Sequence, residues 1–459
     1  MEQITKPHCG ARLDRLPDCR WHSSMFAIVA FGLLVCWSNA VGGLILAQLK
    51  ALGWTDNSTT ATFSAITTAG MFLGALVGGI IGDKTGRRNA FILYEAIHIA
   101  SMVVGAFSPN MDFLIACRFV MGVGLGALLV TLFAGFTEYM PGRNRGTWSS
   151  RVSFIGNWSY PLCSLIAMGL TPLISAEWNW RVQLLFPAIL SLIATALAWR
   201  YFPESPRWLE SRGRYQEAEK VMRSIEEGVI RQTGKPLPPV VIADDGKAPQ
   251  AVPYSALLTG VLLKRVILGS CVLIAMNVVQ YTLINWLPTI FMTQGINLKD
   301  SIVLNTMSMF GAPFGIFIAM LVMDKIPRKT MGVGLLILIA VLGYIYSLQT
   351  SMLLITLIGF FLITFVYMYV CYASAVYVPE IWPTEAKLRG SGLANAVGRI
   401  SGIAAPYAVA VLLSSYGVTG VFILLGAVSI IVAIAIATIG IETKGVSVES
   451  LSIDAVANK

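Results

Sequence analysis

Long apolar stretches separated by short polar turns run through almost the whole chain, and each stretch has the length of a membrane-crossing helix. Windows of about 20 residues, at 1.5 Å per residue, cover roughly 30 Å of hydrocarbon. Twelve such spans are predicted, over residues 24–48, 62–82, 90–108, 112–136, 150–174, 182–202, 265–291, 302–323, 331–348, 353–377, 390–414 and 418–441. The pattern predicts an all-α polytopic membrane protein. Its expected parts are an N-terminal leader (1–23), a six-helix bundle (24–202), a polar segment (203–264), a second six-helix bundle (265–441) and a tail (442–459).

The two halves repeat each other. Gly79-Ile-Ile-Gly-Asp83-Lys84-Thr-Gly86-Arg87-Arg88 is echoed by Met320-Leu-Val-Met-Asp324-Lys325-Ile-Pro327-Arg328-Lys329. Glu138-x-x-Pro141-x-x-x-Arg145-Gly146 is echoed by Glu380-x-x-Pro383 with Arg389-Gly390. Duplicated halves of this kind build secondary transporters around a central site.

Composition narrows the classes. Hydrophobic residues make up 56% of the chain and charged residues 12%, with a mean hydropathy of +0.71. Soluble domains carry roughly 25% charge, so an ordinary soluble enzyme is excluded. The net charge of +9 has a topological cause and calls for no nucleic acid. Lys84, Arg87, Arg88, Arg143, Arg145, Lys325, Arg328, Lys329, Lys387 and Arg389 gather in the turns after even-numbered spans, and only Lys50, Arg181 and Lys299 face them. That bias puts both termini in the cytoplasm. The polar leader and the long first span predict no cleaved signal peptide, and short outer loops suit a bacterial inner membrane.

The seven cysteines lack metal-ligand spacing, and the five within the spans are expected to pack as small hydrophobes. No catalytic residues, metal ligands or cofactor are expected: the chain has only three histidines and no nucleotide loop. Arg118-x-x-x-Gly122-x-Gly124-x-Gly126 has glycines at near-dinucleotide spacing but sits inside an apolar span, not after a strand. Glycines there serve close helix packing. From Pro203 an amphipathic helix is expected to about Ile230, then a linker from Gly234 to Pro253.

Pro203-Glu-Ser-Pro-Arg-Trp-Leu with Gly213-Arg-Tyr-Gln-Glu-Ala, the paired Asp-Lys turns, the Arg118 glycine run and Glu442-Thr-Lys-Gly445 together resemble the major facilitator superfamily. Within it they are similar to the sugar-porter and metabolite-symporter branch. The resemblance implies alternating access in a monomer that takes a small-molecule substrate, with or without protons. It also implies a conformational latch of Asp83, Arg87, Arg88, Glu138, Arg145, Asp324, Arg328, Glu380 and Arg389, with Arg87 and Arg88 turned to anionic lipid headgroups. The second copy, with Met320 and Pro327 for glycines, is expected to be weaker or differently shaped.

Charges within the spans mark a pathway or a partner. Glu95 and Arg118 are the candidates for proton coupling or charge relay; Glu95 either does this or snorkels to the cytoplasmic turn or pairs with a structural cation. The acid that many proton-coupled relatives carry in the first span is absent from Trp37-Ser38-Asn39-Ala40. Candidate substrate ligands are Ser38, Asn39, Asn157, Asn277, Gln280, Tyr281, Asn285, Trp286, Tyr372, Asn395 and Arg399. Arg399 lies ten residues into its span from Arg389, so about 15 Å deep. Its surroundings are more similar to the aromatic-acid, niacin and organic-ion branch than to glucose carriers. A guanidinium is a fixed fork for carboxylate, which favours a sugar acid or other organic carboxylate. A neutral sugar or polyol is the alternative, and a non-transporting solute sensor is a remote one.

Overall fold

The computed structural model describes residues 7–17, 19–35, 40–141, 145–240, 253–383 and 386–444. In chain order the helices are α1 (Cys9–Asp14), α2 (Arg20–Val35), α3 (Gly42–Ala51), α4 (Asn57–Thr85), α5 (Arg87–Ala106), α6 (Met111–Tyr139), α7 (Arg145–Asn157), α8 (Ser159–Leu170), α9 (Ala176–Tyr201) and α10 (Pro206–Ser211). There follow α11 (Tyr215–Thr233), α12 (Tyr254–Leu257), α13 (Gly260–Thr293), α14 (Leu298–Met309), α15 (Gly311–Val322), α16 (Arg328–Ser347), α17 (Met352–Cys371), α18 (Val378–Glu380) and α19 (Lys387–Ile439). A π-helical segment, Tyr372–Tyr377, joins α17 to α18.

Among the described residues, nine helical stretches are long and apolar enough to cross a membrane. The last, α19, runs for 53 residues, about 80 Å at 1.5 Å per residue and far beyond one bilayer. It breaks at Gly417 (φ 65°), where the sequence separates its last two spans. The expected first and fifth spans correspond to the pairs α2 with α3 and α7 with α8. Side-chain caps fix several helix starts: Asn110 accepts from Phe113 N at 2.9 Å, Ser205 from Trp208 N at 3.2 Å and Asn297 from Asp300 N at 2.9 Å.

The chain forms two compact units. One comprises 1–39, 70–159 and 184–246; the other comprises 40–69, 160–183 and 247–459. In the first, Leu125, Leu128, Leu132 and Phe136 of α6 meet Phe91 and Tyr94 of α5, Met25 and Val29 of α2, and Phe202. In the second, Ala61 of α4 packs with Trp286 and Ile290 of α13 and Val409, Leu413 and Val421 of α19.

The leader is more than a polar tether. Cys9, Leu13 and Leu16 fall at helical spacing and pack on Trp208 and Leu209 of α10 and Ala218, Met222, Ile225 and Val229 of α11. The latter four form one stripe at i, i+4, i+7 and i+11. Arg12 holds Glu219 and, at 2.6 Å, Glu226; Arg15 reaches Glu226 at 2.7 Å, and Arg207 reaches Asp14 at 2.9 Å. The segment from Pro203 forms two helices, α10 and α11, broken by the turn at Gly213 (φ 72°) where one continuous helix was expected, with leader residues packed upon them.

Candidate functional site: a buried polar seam and two charge clusters

Glycines bring α19 onto α13. A Cβ at Gly398 would stand 3.0 Å from Asn277 Nδ2, and one at Gly402 would stand 3.0 Å from the Tyr281 ring. Arg399, adjacent to Gly398, is half-buried. Its Nη1 is sealed from solvent without a hydrogen-bond partner, and it makes no ion pair among the described residues. The acid of its own half that could pair with it, Glu380, is bound by Arg328. Asn395, one turn before Arg399, is exposed and donates to Ser391 O at 2.9 Å.

Along α13, Asn277 donates to Leu273 O at 2.8 Å, Gln280 and Tyr281 are half-buried, and Asn285 and Trp286 are buried. Trp286 Nε1 has no hydrogen-bond partner among the described residues. Tyr372 is fully buried and stacks on Tyr377, with centroids 5.0 Å apart, so it belongs to an aromatic wall. Asn157 lies in the first unit, donating to Ser153 O at 2.8 Å. Ser38 and Asn39 lie outside the described residues.

The structure adds polar groups to this second unit that sequence reasoning passed over. Gln48 of α3 is 3% exposed, and neither polar atom of its amide has a partner. Asn305 of α14 donates to Ser164 Oγ at 3.1 Å while its Oδ1 is unmatched. Tyr160 meets Tyr367 edge to face at 5.5 Å. An amide inside an apolar stretch was the available signal for the first two. Buried polar groups without protein partners are costly, and a polar ligand offers them partners.

The charged turns form two matching clusters, one in each unit. In the first, Arg87 joins Asp83 (2.7 Å) and Glu138 (2.8 Å). In the second, Arg328 joins Glu380 through both Nε (3.0 Å) and Nη2 (3.1 Å), and Asp324 at 3.4 Å. Arg87 is thus engaged by protein carboxylates, and Arg88 donates to Trp199 O at 2.6 Å. Arg389 holds its guanidinium over the Tyr254 ring at 5.2 Å. The side chain of Arg145 lies outside the described residues.

Two further acids complete the clusters. Glu204 accepts the backbone N–H of Arg87 (2.7 Å), Arg88 (3.2 Å) and Ser205 (3.0 Å). Glu442 accepts those of Arg328 (2.8 Å), Lys329 (3.1 Å) and Lys444 (3.1 Å). Burial works to raise the Glu442 carboxyl, and these amide donors more than reverse it, holding it below its ordinary value of 4.5. Gly86 makes the first arrangement possible. Its φ of 97° suits glycine, and the Glu204 carboxylate occupies the space a Cβ would fill. The second copy reaches its turn with Pro327 at φ −57°.

Glu95 does not snorkel. It and His98 are both fully buried, with Glu95 Oε2 3.6 Å from His98 Nδ1. Gly124 of α6 leaves the room for His98: a Cβ there would stand 3.0 Å from its backbone nitrogen. Arg118 is 1% exposed, its Nη1 lying 3.8 Å from Met121 Sδ.

Comparison with known proteins agrees with this architecture. The chain is 44% identical to the inner membrane metabolite transport protein YdjE of Escherichia coli K12, over 98% of this chain and 99% of that one. It is 25% identical to the niacin transporter NiaP of Acinetobacter baylyi, over 96% and 99%. The inward-open structure of the E. coli xylose transporter XylE superposes with a TM-score of 0.74 at 16% identity, covering 94% of this chain and 99% of that one. Residues 25–406 match the Major Facilitator Superfamily as a family. The duplicated charged turns, the apolar helices and these matches together make this chain a multi-pass membrane protein that belongs to the major facilitator superfamily, a family of transporters and not of enzymes.

Proposed function

We propose that the chain is a secondary transporter of a small organic carboxylate, working by alternating access as a monomer without a cofactor. Its moving parts are two six-helix bundles, 24–202 and 265–441, with 203–264 and both termini on the cytoplasmic side. The observation that carries the substrate class is Arg399. A half-buried guanidinium with an unmatched Nη1, one residue along from the glycine that packs on Asn277, is a fork awaiting a planar anion. The niacin named for NiaP is an aromatic carboxylate, which favours the same chemistry.

A neutral sugar is the second reading. It is favoured by the amides Asn277, Gln280, Asn285 and Gln48 and by the xylose named for XylE. Proton coupling is assigned to the buried Glu95–His98 pair, with Arg118 as a charge relay.

The test is Arg399→Lys with Arg399→Gln as control, measuring binding of nicotinate and of nicotinamide as a matched acid and amide. Both variants should weaken the acid about tenfold or more and the amide much less, because neither a point charge nor an amide reproduces the charged fork. Equal loss for both ligands, or no acid preference in the parent chain, removes the carboxylate reading and leaves the neutral one.

A further inference from the structure

Beside the first charge cluster, and wholly within the first unit, lies a cavity of about 590 Å³. Its size is that of sites for small organic ligands, roughly 300–1,000 Å³. The start of α5, the end of α9 and one face of α11 wall it. Five charged side chains line it: Arg88, Glu204, Arg214, Glu217 and Lys220.

Most of the negative charge is already engaged. Glu204 is held by three backbone amides. Glu217 is gripped by Arg214 through Nε at 2.7 Å and Nη2 at 2.6 Å. The charge left over is cationic. Lys220 is exposed and makes no ion pair among the described residues. Arg88 is half-buried, spends Nη2 on the Trp199 carbonyl, and makes no side-chain ion pair among the described residues. Asn89 and Ser224 add neutral hydrogen-bonding groups to the same wall, and Trp21 and Tyr201 add aromatic faces.

Two available cations, neutral donors and an aromatic flank recognise a phosphate ester bearing an apolar remainder. We propose that this cavity is a binding site for such an ester, separate from the transport pathway, with Lys220 and Arg88 on the phosphate and Trp21 and Tyr201 against the remainder. The shared chemistry has two sources, a phospholipid headgroup and a free phosphate ester. Arg88 also belongs to the charged turn through its amide on Glu204, so an occupied site steadies that turn by mass action.

The experiment uses the full chain in maltoside micelles, which carry no phosphate. Thermal unfolding is followed with phenyl phosphate against chloride at equal ionic strength, and in micelles doped with phosphatidylglycerol against micelles without it. The expected result is a saturable rise in the midpoint with at least one source. Lys220→Glu and Lys220→Gln, on an exposed position of α11, should weaken it about tenfold with unchanged circular dichroism. A response to phosphatidylglycerol alone identifies a headgroup site; a response to phenyl phosphate identifies a soluble ester. No saturable response to either source, or the same response in both Lys220 variants as in the parent chain, overturns the proposal.

Discussion

Glu204 and Glu442 do the same work in the two halves of the chain: each accepts the backbone N–H of the arginine after its Asp-Lys turn, Arg87 at 2.7 Å and Arg328 at 2.8 Å. A tyrosine follows the same rule, with Tyr139 donating to Pro203 O at 2.6 Å and Tyr377 to Ile441 O at 3.1 Å. Each turn is thus tied to the chain segment that leaves the last helix of its own half.

Substituting Glu204→Gln should lower stability by about 1–3 kcal/mol, since hydrogen bonds to a charged group are worth roughly that much. Gly86→Ala should cost more. It combines a positive-φ, extended backbone (φ 97°, ψ 163°) that is essentially glycine's alone, about 1–3 kcal/mol for another residue, with displacement of the carboxylate. Thermal unfolding of the purified variants checks the order, and a smaller loss for Gly86→Ala would contradict the packing described.

Asp83→Asn is expected to leave the protein folded and able to bind ligand but to slow its turnover. The side chain of Asp83 is 66% exposed, so the fold does not lean on it, yet its charge helps hold Arg87 in the cluster. Exchange in proteoliposomes gives the answer, and an undiminished rate refutes the latch.

The docked leader supplies its own reporter. Burial, and then Glu210, push the Cys9 thiol up to about 12, so maleimide should label it slowly at pH 7. Arg12→Ala should speed labelling severalfold by releasing α1. Acid should weaken the same contact. Burial works to raise the Glu226 carboxyl, but Arg12 and Arg15 hold it below 4.5. A depressed carboxyl contributes stability that is present above its ordinary value and lost as pH falls through its folded one. Limited proteolysis between pH 7 and 3 should therefore open the leader only below about 4.5.

For Glu95→Gln, substrate exchange should persist while accumulation driven by a pH gradient disappears, because an amide cannot take up and release a proton as the carboxylate does. Paired exchange and accumulation assays separate the two. Accumulation equal to that of the parent chain would make the Glu95–His98 pair structural.

Most of the architecture is legible in the sequence because lipid enforces it: a crossing helix has to be spelled out in consecutive apolar residues. The charged turns are legible because Asp83 and Arg87, like Asp324 and Arg328, stand four residues apart across one tight turn. Glu204 and Glu442 stand in recognisable motifs, but their partners lie 117 and 114 residues away, a distance no local pattern spans. The leader helix has only six residues, too few for periodicity to stand out. Arg399's depth follows from helix rise, whereas its unmatched nitrogen depends on which side chains surround it.

The assignment of residues 40–69 and 160–183 to the same compact unit as 247–459 bears on what keeps the chain whole. Asn57 donates to Ser414 at 2.9 Å and Ala61 sits against Trp286 and Val409, so parts of the first sequence half find their neighbours in the second. Lineage divides this protein at its middle, but cohesion does not. Severed in the stretch from Gly234 to Pro253 and synthesised as two pieces, it should still copurify as one carrier, because the seam that joins the pieces is packed rather than covalent.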